Sequence, residues 1–301
     1  MDRLEAMSIL IHAAEAGSLS KASRLLGLPL ATVSRKVSEL EAHLNTSLLT
    51  RSAKGLTPTP AGRSFLANAR IILDQLNEAE RAAAGEYIAP KGELVITAPV
   101  VFGRLHVLPV VTDFLSAYPE VDVSLVLTDR VTHLVDDRVD LAVRIGDLPD
   151  SSLTASRVGS VRRVVCASPS YFAERGHPVS PDELVRHTGI SHGGLSAPSV
   201  WRFEANGVEV ATEIRSRLSV NTVEAAIDAA VAGVGLARPL SYQIVERIRQ
   251  GTLALTLEAF RLTPSPVQLL YNGQSRLPLK LRAFLDFVAP RLRQRLTEAE
   301  L

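Results

Sequence analysis

Residues 18–62 constrain this chain more than any other stretch. They run S-L-S-K-A-S-R-L-L-G-L-P-L-A-T-V-S-R-K-V-S-E-L-E and later L-L-T-R-S-A-K-G-L-T-P-T-P-A-G. Apolar residues recur every three to four positions, the spacing of an amphipathic helix. A first short helix is expected over 19–26, with Ala22, Leu25 and Leu26 inward. Gly27 supplies the turn, since glycine takes left-handed dihedrals freely. A second helix is expected from near Pro29, burying Val33, Val37, Leu40 and Leu44. That leaves Ala31, Arg35 and Ser38 outward, with Thr32 and Ser34 on the flanks. Residues 48–56 read as two short strands around Ala53-Lys54-Gly55, and Thr57-Pro58-Thr59-Pro60 ends the unit. Two helices joined by a tight turn, with a basic hairpin beside them, present one helix to the DNA major groove.

Charge supports this reading. The whole chain carries a net charge of only +1. Between Ser18 and Arg63, however, seven bases (Lys21, Arg24, Arg35, Lys36, Arg51, Lys54 and Arg63) face two acids, Glu39 and Glu41. A local basic patch is the footprint of a phosphate-binding surface. A solvated charged face is the plainer explanation of the same count.

The 301 residues suggest about two domains. Upstream of the basic window, Leu4, Met7, Leu10, Ile11 and Ala14 mark a first helix, which Gly17 and Ser18 end. Downstream, a long helix is expected over 61–86, with Phe65, Leu66, Ala69, Ile72, Leu73, Leu76, Ala79 and Ala83 along one side. A helix of this length calls for a partner, and a coiled-coil pairing is the natural one. Packing on its own domain is the alternative. Ala89-Pro90-Lys91-Gly92 then reads as a linker.

Beyond the linker the pattern becomes strands alternating with helices: strands over 93–97, 122–127, 141–145, 162–167 and 267–271, and helices over 102–117, 131–136, 223–232 and 278–295. Such alternation argues for a parallel α/β sheet. The amino-terminal M-D-R-L-E-A-M lacks an apolar signal segment, and no uncharged stretch approaches the ~20 residues of a membrane helix. A cytoplasmic protein without a membrane partner is therefore expected. The single cysteine, Cys166, excludes a disulfide within one chain.

Taken together, E-A-G-S-L-S-K-A-S-R-L-L-G-L, A-T-V-S-R-K-V-S-E-L-E, L-L-T-R and L-T-P-T-P-A-G-R resemble the DNA-binding half of the LysR-type transcriptional regulators. I-T-A-P-V-V-F-G-R, D-L-A-V-R-I-G-D-L-P-D-S-S-L, C-A-S-P-S-Y and A-G-V-G-L resemble that family's effector-binding half. The resemblance spans essentially the whole chain. It implies a multidomain fold: an all-α winged helix-turn-helix over 1–60, a linker and dimerisation helix with hinge over 61–90, and a two-lobed α/β domain of periplasmic-binding-protein type over 91–301. Lobe one would comprise 91–161 and 267–301, and lobe two 162–266, with crossings near Val161 and Pro264–Pro266. The resemblance further implies double-stranded promoter DNA, a small-molecule co-inducer and a homodimer through the linker helix assembling to a homotetramer. RNA polymerase is a further candidate partner.

Candidate DNA contacts are Ser18, Ser20, Leu30, Ala31, Thr32, Ser34, Arg35, Arg51 and Lys54. Arg35 suits a bidentate contact to guanine, with phosphate as its alternative. Arg51 and Lys54 in the wing suit phosphate or the minor groove. Ser18 and Ser20 suit capping of the first short helix and donation to phosphate. Two residues depart from the family pattern. Pro29 and Leu30 replace the polar pair common at the start of the recognition helix, and Leu30 is suited to a thymine methyl rather than a hydrogen bond. Val101 stands where relatives often carry serine.

Ligands of α/β sheets bind outside the carboxyl ends of strands. The effector candidates follow from that rule: Pro99, Val100, Val101, Phe102 and Gly103 after the first strand, Thr128 after the second, Ile145 and Gly146 after the third, and Asn221, Thr222 and Gly235 from the other lobe. Free helix N–H groups beside an apolar patch suit a small carboxylate or an aromatic effector. Packing between the lobes is the alternative role for these residues.

No enzyme motif is found: there is no G-x-S-x-G and no H-E-x-x-H. His187 and His192 lack a third metal ligand, Gly233-Val-Gly235 lacks the third glycine of a dinucleotide loop, and no cofactor is expected. Cys166 reads as core, as do Trp201 and Phe203 on one strand face. Arg104 and His106, near the cleft-side helix, are placed to meet a ligand, with surface solvation the plainer reading. Two competing classes remain at this point: a solute-binding or enzymatic α/β protein with an accessory helical domain, and a purely architectural DNA protein.

Overall fold

The computed structural model describes residues 2–52, 55–83, 89–130, 139–147, 153–192, 200–273 and 277–299. The helix expected over 131–136 lies outside the described residues. The amino-terminal unit contains α1 (Arg3–Ala16), α2 (Leu19–Leu26), α3 (Leu30–Leu44), β1 (Leu49–Ser52), β2 (Gly55–Pro58) and the first half of α4 (Pro60–Ala83). Asp2 caps α1 by accepting from the N–H groups of Leu4 and Glu5. Gly27 ends α2 at φ 66°, the left-handed region its lack of a Cβ permits. Ala6, Ile9, Leu10, Ala13, Ala22, Val33, Val37, Leu40, Leu48, Leu66 and Ala69 form one buried core, so the start of α4 packs on its own unit.

Two inward assignments are corrected. Leu25 is 72% exposed and Leu44 is 37% exposed. Ala22 is the buried residue of the eight-residue α2, which leaves Leu25 on its open side, and Leu44 is the last residue of α3, followed directly by the left-handed Asn45.

The second part begins with β3 (Gly92–Ala98). An 18-residue helical stretch follows: α5 (Val100–Phe102), a π-helical turn (Gly103–Val107) and α6 (Leu108–Ala117). This stretch is apolar enough by composition to span a membrane. Its Val101, Phe102, Val107, Val110, Val111 and Phe114 are instead buried against the sheet. Next come β4 (Val121–Leu127), β5 (Leu141–Ile145) and β6 (Thr154–Val161). The chain then builds β7 (Val165–Ala167), α7 (Pro169–Arg175), β8 (Thr188–His192), β9 (Val200–Ala205), β10 (Val208–Glu213), β11 (Arg215–Val220), α8 (Val223–Val231), α9 (Val245–Arg249) and β12 (Ala254–Thr256). It returns through β13 (Ser265–Tyr271) to α10 (Leu279–Glu298).

The main sheet has the order β4-β3-β5-β13-β6. It corrects the all-parallel expectation: β4, β3 and β5 run parallel, but β13 is antiparallel to both β5 and β6. The strand expected over 162–167 is also split. β6 ends at Val161, and only Val165–Ala167 is regular, paired with β12. Two further buried clusters, one around Phe172, Leu184, Trp201 and Phe203 and one around Cys166, Ile190, Ala226 and Ile244, are the cores of the second lobe. Trp201, Phe203 and Cys166 are thus core residues, as expected.

Candidate functional site

The helix-turn-helix is set by local bonds. Ser23 Oγ donates to the Leu28 carbonyl at 2.6 Å, and the Leu28 N–H donates to the Ser23 carbonyl. Pro29 occupies the N-cap of α3 instead of its first turn, and its carbonyl accepts from the Thr32 and Val33 N–H groups. Ser18 is the N-cap of α2, but its side chain makes no capping bond, which corrects the capping role given to it. Ser20 is exposed on the first turn of α2.

On α3, Ala31, Arg35 and Ser38 are exposed in one row, and Thr32 and Ser34 are half-buried beside them. Leu30 is 46% exposed at the amino end. Arg35 bonds Glu39 one turn on, at 2.8 Å. Lys36 turns the other way and pairs with Glu5 of α1 at 2.5 Å. The β1–β2 hairpin is fastened to α3 by Glu41, whose Oε1 accepts from the Leu48 and Leu49 N–H groups at 2.7 and 3.0 Å. The sequence reading counted Glu41 only as a charge. Its spacing of seven and eight residues from its partners gave no periodic signal. The hairpin also meets the α1–α2 turn, where the Leu56 N–H donates to the Gly17 carbonyl at 2.9 Å. Arg51 lies on β1. Lys54 lies outside the described residues.

In the second part, β3 is flanked by β4 on one side and β5 on the other. The order in which the parallel strands are added therefore reverses at β3–β5, and the crevice outside their carboxyl ends is where an α/β sheet binds ligands. Pro99–Gly103, Thr128 and Ile145–Gly146 stand at these ends. The Thr128 N–H donates to the Ala98 carbonyl at 2.9 Å, joining two of the segments. Val100 and Pro99 are half-buried, whereas Val101, Phe102 and Gly103 are buried. Asn221 and Thr222 are exposed ahead of α8.

Both helix amino ends expected to await an anion are engaged by the chain itself. The Val100 N–H donates to the Asp129 carboxylate at 3.1 Å, and the Ala225 N–H donates to Thr222 Oγ1 at 3.3 Å. Gly103 and Gly235 are tied to packing: a Cβ on Gly103 would stand 2.2 Å from the Leu127 side chain, and one on Gly235 would stand 2.4 Å from the Thr188 carbonyl oxygen.

A basic cluster escaped the sequence reading. Arg163, at the start of lobe two, is close enough to depress the pKa values of both Arg238 and His192. Burial comes first in each case, and together the two effects bring Arg238 down to about 10. The Arg238 guanidinium also lies 5.1 Å from the Phe203 ring centre. Positions 163, 192 and 238 share no spacing; only the pairing of Arg163 with Leu240 and the end of β8 bring them together. His187 bonds the Tyr171 hydroxyl at 3.2 Å and is structural. Among the described residues no group of three metal-ligating side chains converges. Burial raises the Cys166 thiol to about 12, so it is unreactive as a thiolate. His106 is corrected from surface to core, being 7% exposed.

Comparison with known proteins bears on both halves. Residues 4–63 match the family model for bacterial regulatory helix-turn-helix proteins of the lysR family, and residues 89–293 match the LysR substrate-binding domain. An HTH-type transcriptional repressor of Pseudomonas aeruginosa is 30% identical over 96% of this chain and 92% of its own length. The regulator PtxR of Pseudomonas aeruginosa is 32% identical over 92% of this chain and 88% of its own. The full-length structure of the Vibrio cholerae virulence activator AphB aligns at a TM-score of 0.60 and 27% identity, over 95% of this chain and 98% of that one. Full-length LysG of Corynebacterium glutamicum, solved with its effector arginine bound, shares the fold at a TM-score of 0.70 and 18% identity, over 98% and 99% of the two chains.

Proposed function

Because the chain belongs to the LysR family of transcriptional regulators, which are DNA-binding proteins and not enzymes, we propose that it is a sequence-selective switch read out by α3 and set by a small carboxylate held between the lobes. The observation that carries the DNA half is the outward row Ala31, Arg35 and Ser38, flanked by Thr32 and Ser34 beside a hairpin fastened through Glu41. In that geometry the amino end of α3 meets base edges, with Leu30 against a thymine methyl and Arg35 released from Glu39 to guanine. Ser18, Ser20, Arg51 and Lys54 contact the backbone. We assign 1–60 to DNA binding, 61–90 to dimerisation and 91–301 to the effector. The working form is a cytoplasmic homotetramer, with RNA polymerase as a neighbour on the promoter.

For the effector, the cleft candidates supply the walls, Arg163 and Arg238 supply the charge, and His192, kept neutral by burial and Arg163, supplies a ring N–H. Crowded, desolvated like charges are relieved by an anion. A carboxylate bound at the amino end of α5 displaces Asp129 from the Val100 N–H. A mobility-shift assay on the DNA upstream of the chain's own gene tests the DNA half. A salt-sensitive, sequence-selective shift supports it, and its absence sinks it. Calorimetry of the full chain with aromatic and aliphatic carboxylates tests the effector half. Asp129→Asn is expected to tighten binding, and Arg163→Gln to weaken it; no saturable binding across the panel counts against the cleft.

A further inference from the structure

The DNA-binding unit and lobe one of the same chain meet along a seam. It encloses a cavity of about 430 Å³, lined by Ile11, Ile71 and Leu73 from the first and by Val95, Val139 and Leu281 from the second. Groups beside a void lose their contacts on that side, so apolar packing alone holds such a seam weakly. Charged side chains gather around it.

Lys280 stands there because Pro278 starts α10, its carbonyl accepting from the Leu281 and Arg282 N–H groups. Lys280 Nζ lies 3.0 Å from Asp74 Oδ2 of α4. The lysine side chain is only 15% exposed and that of Asp74 is 42% exposed. A charge this far buried needs its counter-ion, so the pair holds α4 against the start of α10.

A second carboxylate feels the same lysine. Asp140, just before β5, is tied twice to β3. Its N–H donates to the Val95 carbonyl at 2.9 Å, and its Oδ2 accepts from the Val95 N–H at 2.8 Å. Burial raises its pKa, the Val95 N–H and Lys280 draw it down again, and Asp74 and Glu93 push it up. Asp74 and Asp140 therefore repel one another across the seam and share one cation. The more closely Lys280 is drawn to Asp140, the less it holds Asp74. Arg70, also on the seam, is already paired with Glu15 at 2.8 Å.

Two strands connect this arrangement to the effector cleft. The amino ends of β3 and β5, at Gly92 and Asp140, line the seam. Their carboxyl ends, at Ala98 and Ile145, open on the cleft. Paired strands move as stiff elements, so a shift at the cleft end is carried to Asp140.

We propose that Lys280 is a latch by which lobe one holds the DNA-binding unit of its own chain, and that Asp140 sets the grip of the latch by competing with Asp74 for the lysine. The latch stands whatever fills the cleft; its response to an effector rests on the cleft reading above.

The test reads one distance in the full-length protein. Spin labels are placed on His43→Cys of α3 and Ser116→Cys of α6, both exposed positions, while Cys166 is buried and stays unlabelled. Labelled chains are diluted into unlabelled protein, so that only distances within one chain are read. Rising salt is expected to replace the docked distance by a longer, broader one, because Asp74 is open to solvent. Asp74→Asn and Lys280→Gln are expected to lower the docked-to-open ratio about three- to fivefold, the range of a partly exposed ion pair. Asp140→Asn keeps an acceptor for Val95 and removes the charge, and is expected to raise the ratio.

A docked distance that neither salt, Asp74→Asn nor Lys280→Gln alters overturns the latch. A ratio that falls on Asp140→Asn, as on Asp74→Asn, makes Asp140 a support of the strand pairing and overturns the competition. Should Lys280→Gln not fold, Asp74→Asn, at the exposed end of the pair, gives the same reading. Failure of the cleft shows separately, as the absence of saturable carboxylate binding in calorimetry, and leaves these ratios as they are.

Discussion

Arg35 and Lys36 are adjacent in the chain and opposite in role. Lys36 turns inward to Glu5, its side chain only 14% exposed, while Arg35 stands 63% exposed with a single exposed partner. An exposed ion pair of this kind is worth at most about 1 kcal/mol, so Arg35 is readily released to a base. Arg35→Ala is expected to cost roughly 1–3 kcal/mol on the preferred operator and little on others, as measured by competition between operator variants. Equal weakening on every sequence would instead make Arg35 a phosphate contact.

His106 gives a second prediction at this scale. Its pKa is about 6.5 unfolded and about 4 folded. Between those values the unfolded chain binds the extra proton, so stability is complete above about pH 6.5 and is lost as pH falls toward about 4. The loss is on the order of 3 kcal/mol. His106→Gln should flatten that part of the denaturation curve, and an unchanged curve would mean that His106 titrates normally. His106 was misread from the sequence because its direction depends on the π-helical turn, which no spacing of residues announced.

Elements here are held by a few side-chain-to-backbone bonds that periodicity does not reveal. Glu41 fastens the hairpin to α3, and the Thr59 hydroxyl accepts from the Gly62 N–H at 2.9 Å at the start of α4. Glu41→Ala leaves two part-buried N–H groups without an acceptor, at about 1–3 kcal/mol. The expected outcome is a lower melting temperature and faster exchange of the Leu48 and Leu49 amides. Unchanged exchange would show that the hairpin is held by its strand pairing alone. Along α4, Leu66 and Ala69 are buried in its own unit, but Ile72 remains 42% exposed. Ile72→Glu is expected to shift the dimer toward monomer in sedimentation, and an unaltered dimer would place the pairing face elsewhere. Of the two alternatives from the sequence, packing on its own domain holds for the first turns of α4, and pairing through Ile72 is the part that this experiment tests.

For the whole molecule, the link between the halves is the question that matters for a switch. Lys280 at the start of α10 pairs with Asp74 of α4 at 3.0 Å, and its side chain is only 15% exposed. Lys280→Ala is expected to leave effector affinity unchanged in calorimetry while reducing the effector's influence on DNA binding. An undiminished response would move the coupling to another contact. DNA affinity itself should fall steeply with salt, and Lys54→Ala should lower the slope of log K against log salt by about 0.9.

The sequence by itself determined the helix-turn-helix, the long helix and the α/β pattern of the second half. Each of these rests on local periodicity and on turn residues such as Gly27. Only the tertiary structure decided that β13 runs antiparallel within the sheet, that Asp129 meets the Val100 N–H, and that Arg163, His192 and Arg238 share one place. It also decided that Asp74, Asp140 and Lys280, remote in the chain, meet at one seam. The physical reason is common to all four. Periodicity reports which face of an element is apolar, whereas pairings between distant segments depend on how those faces close on one another in space.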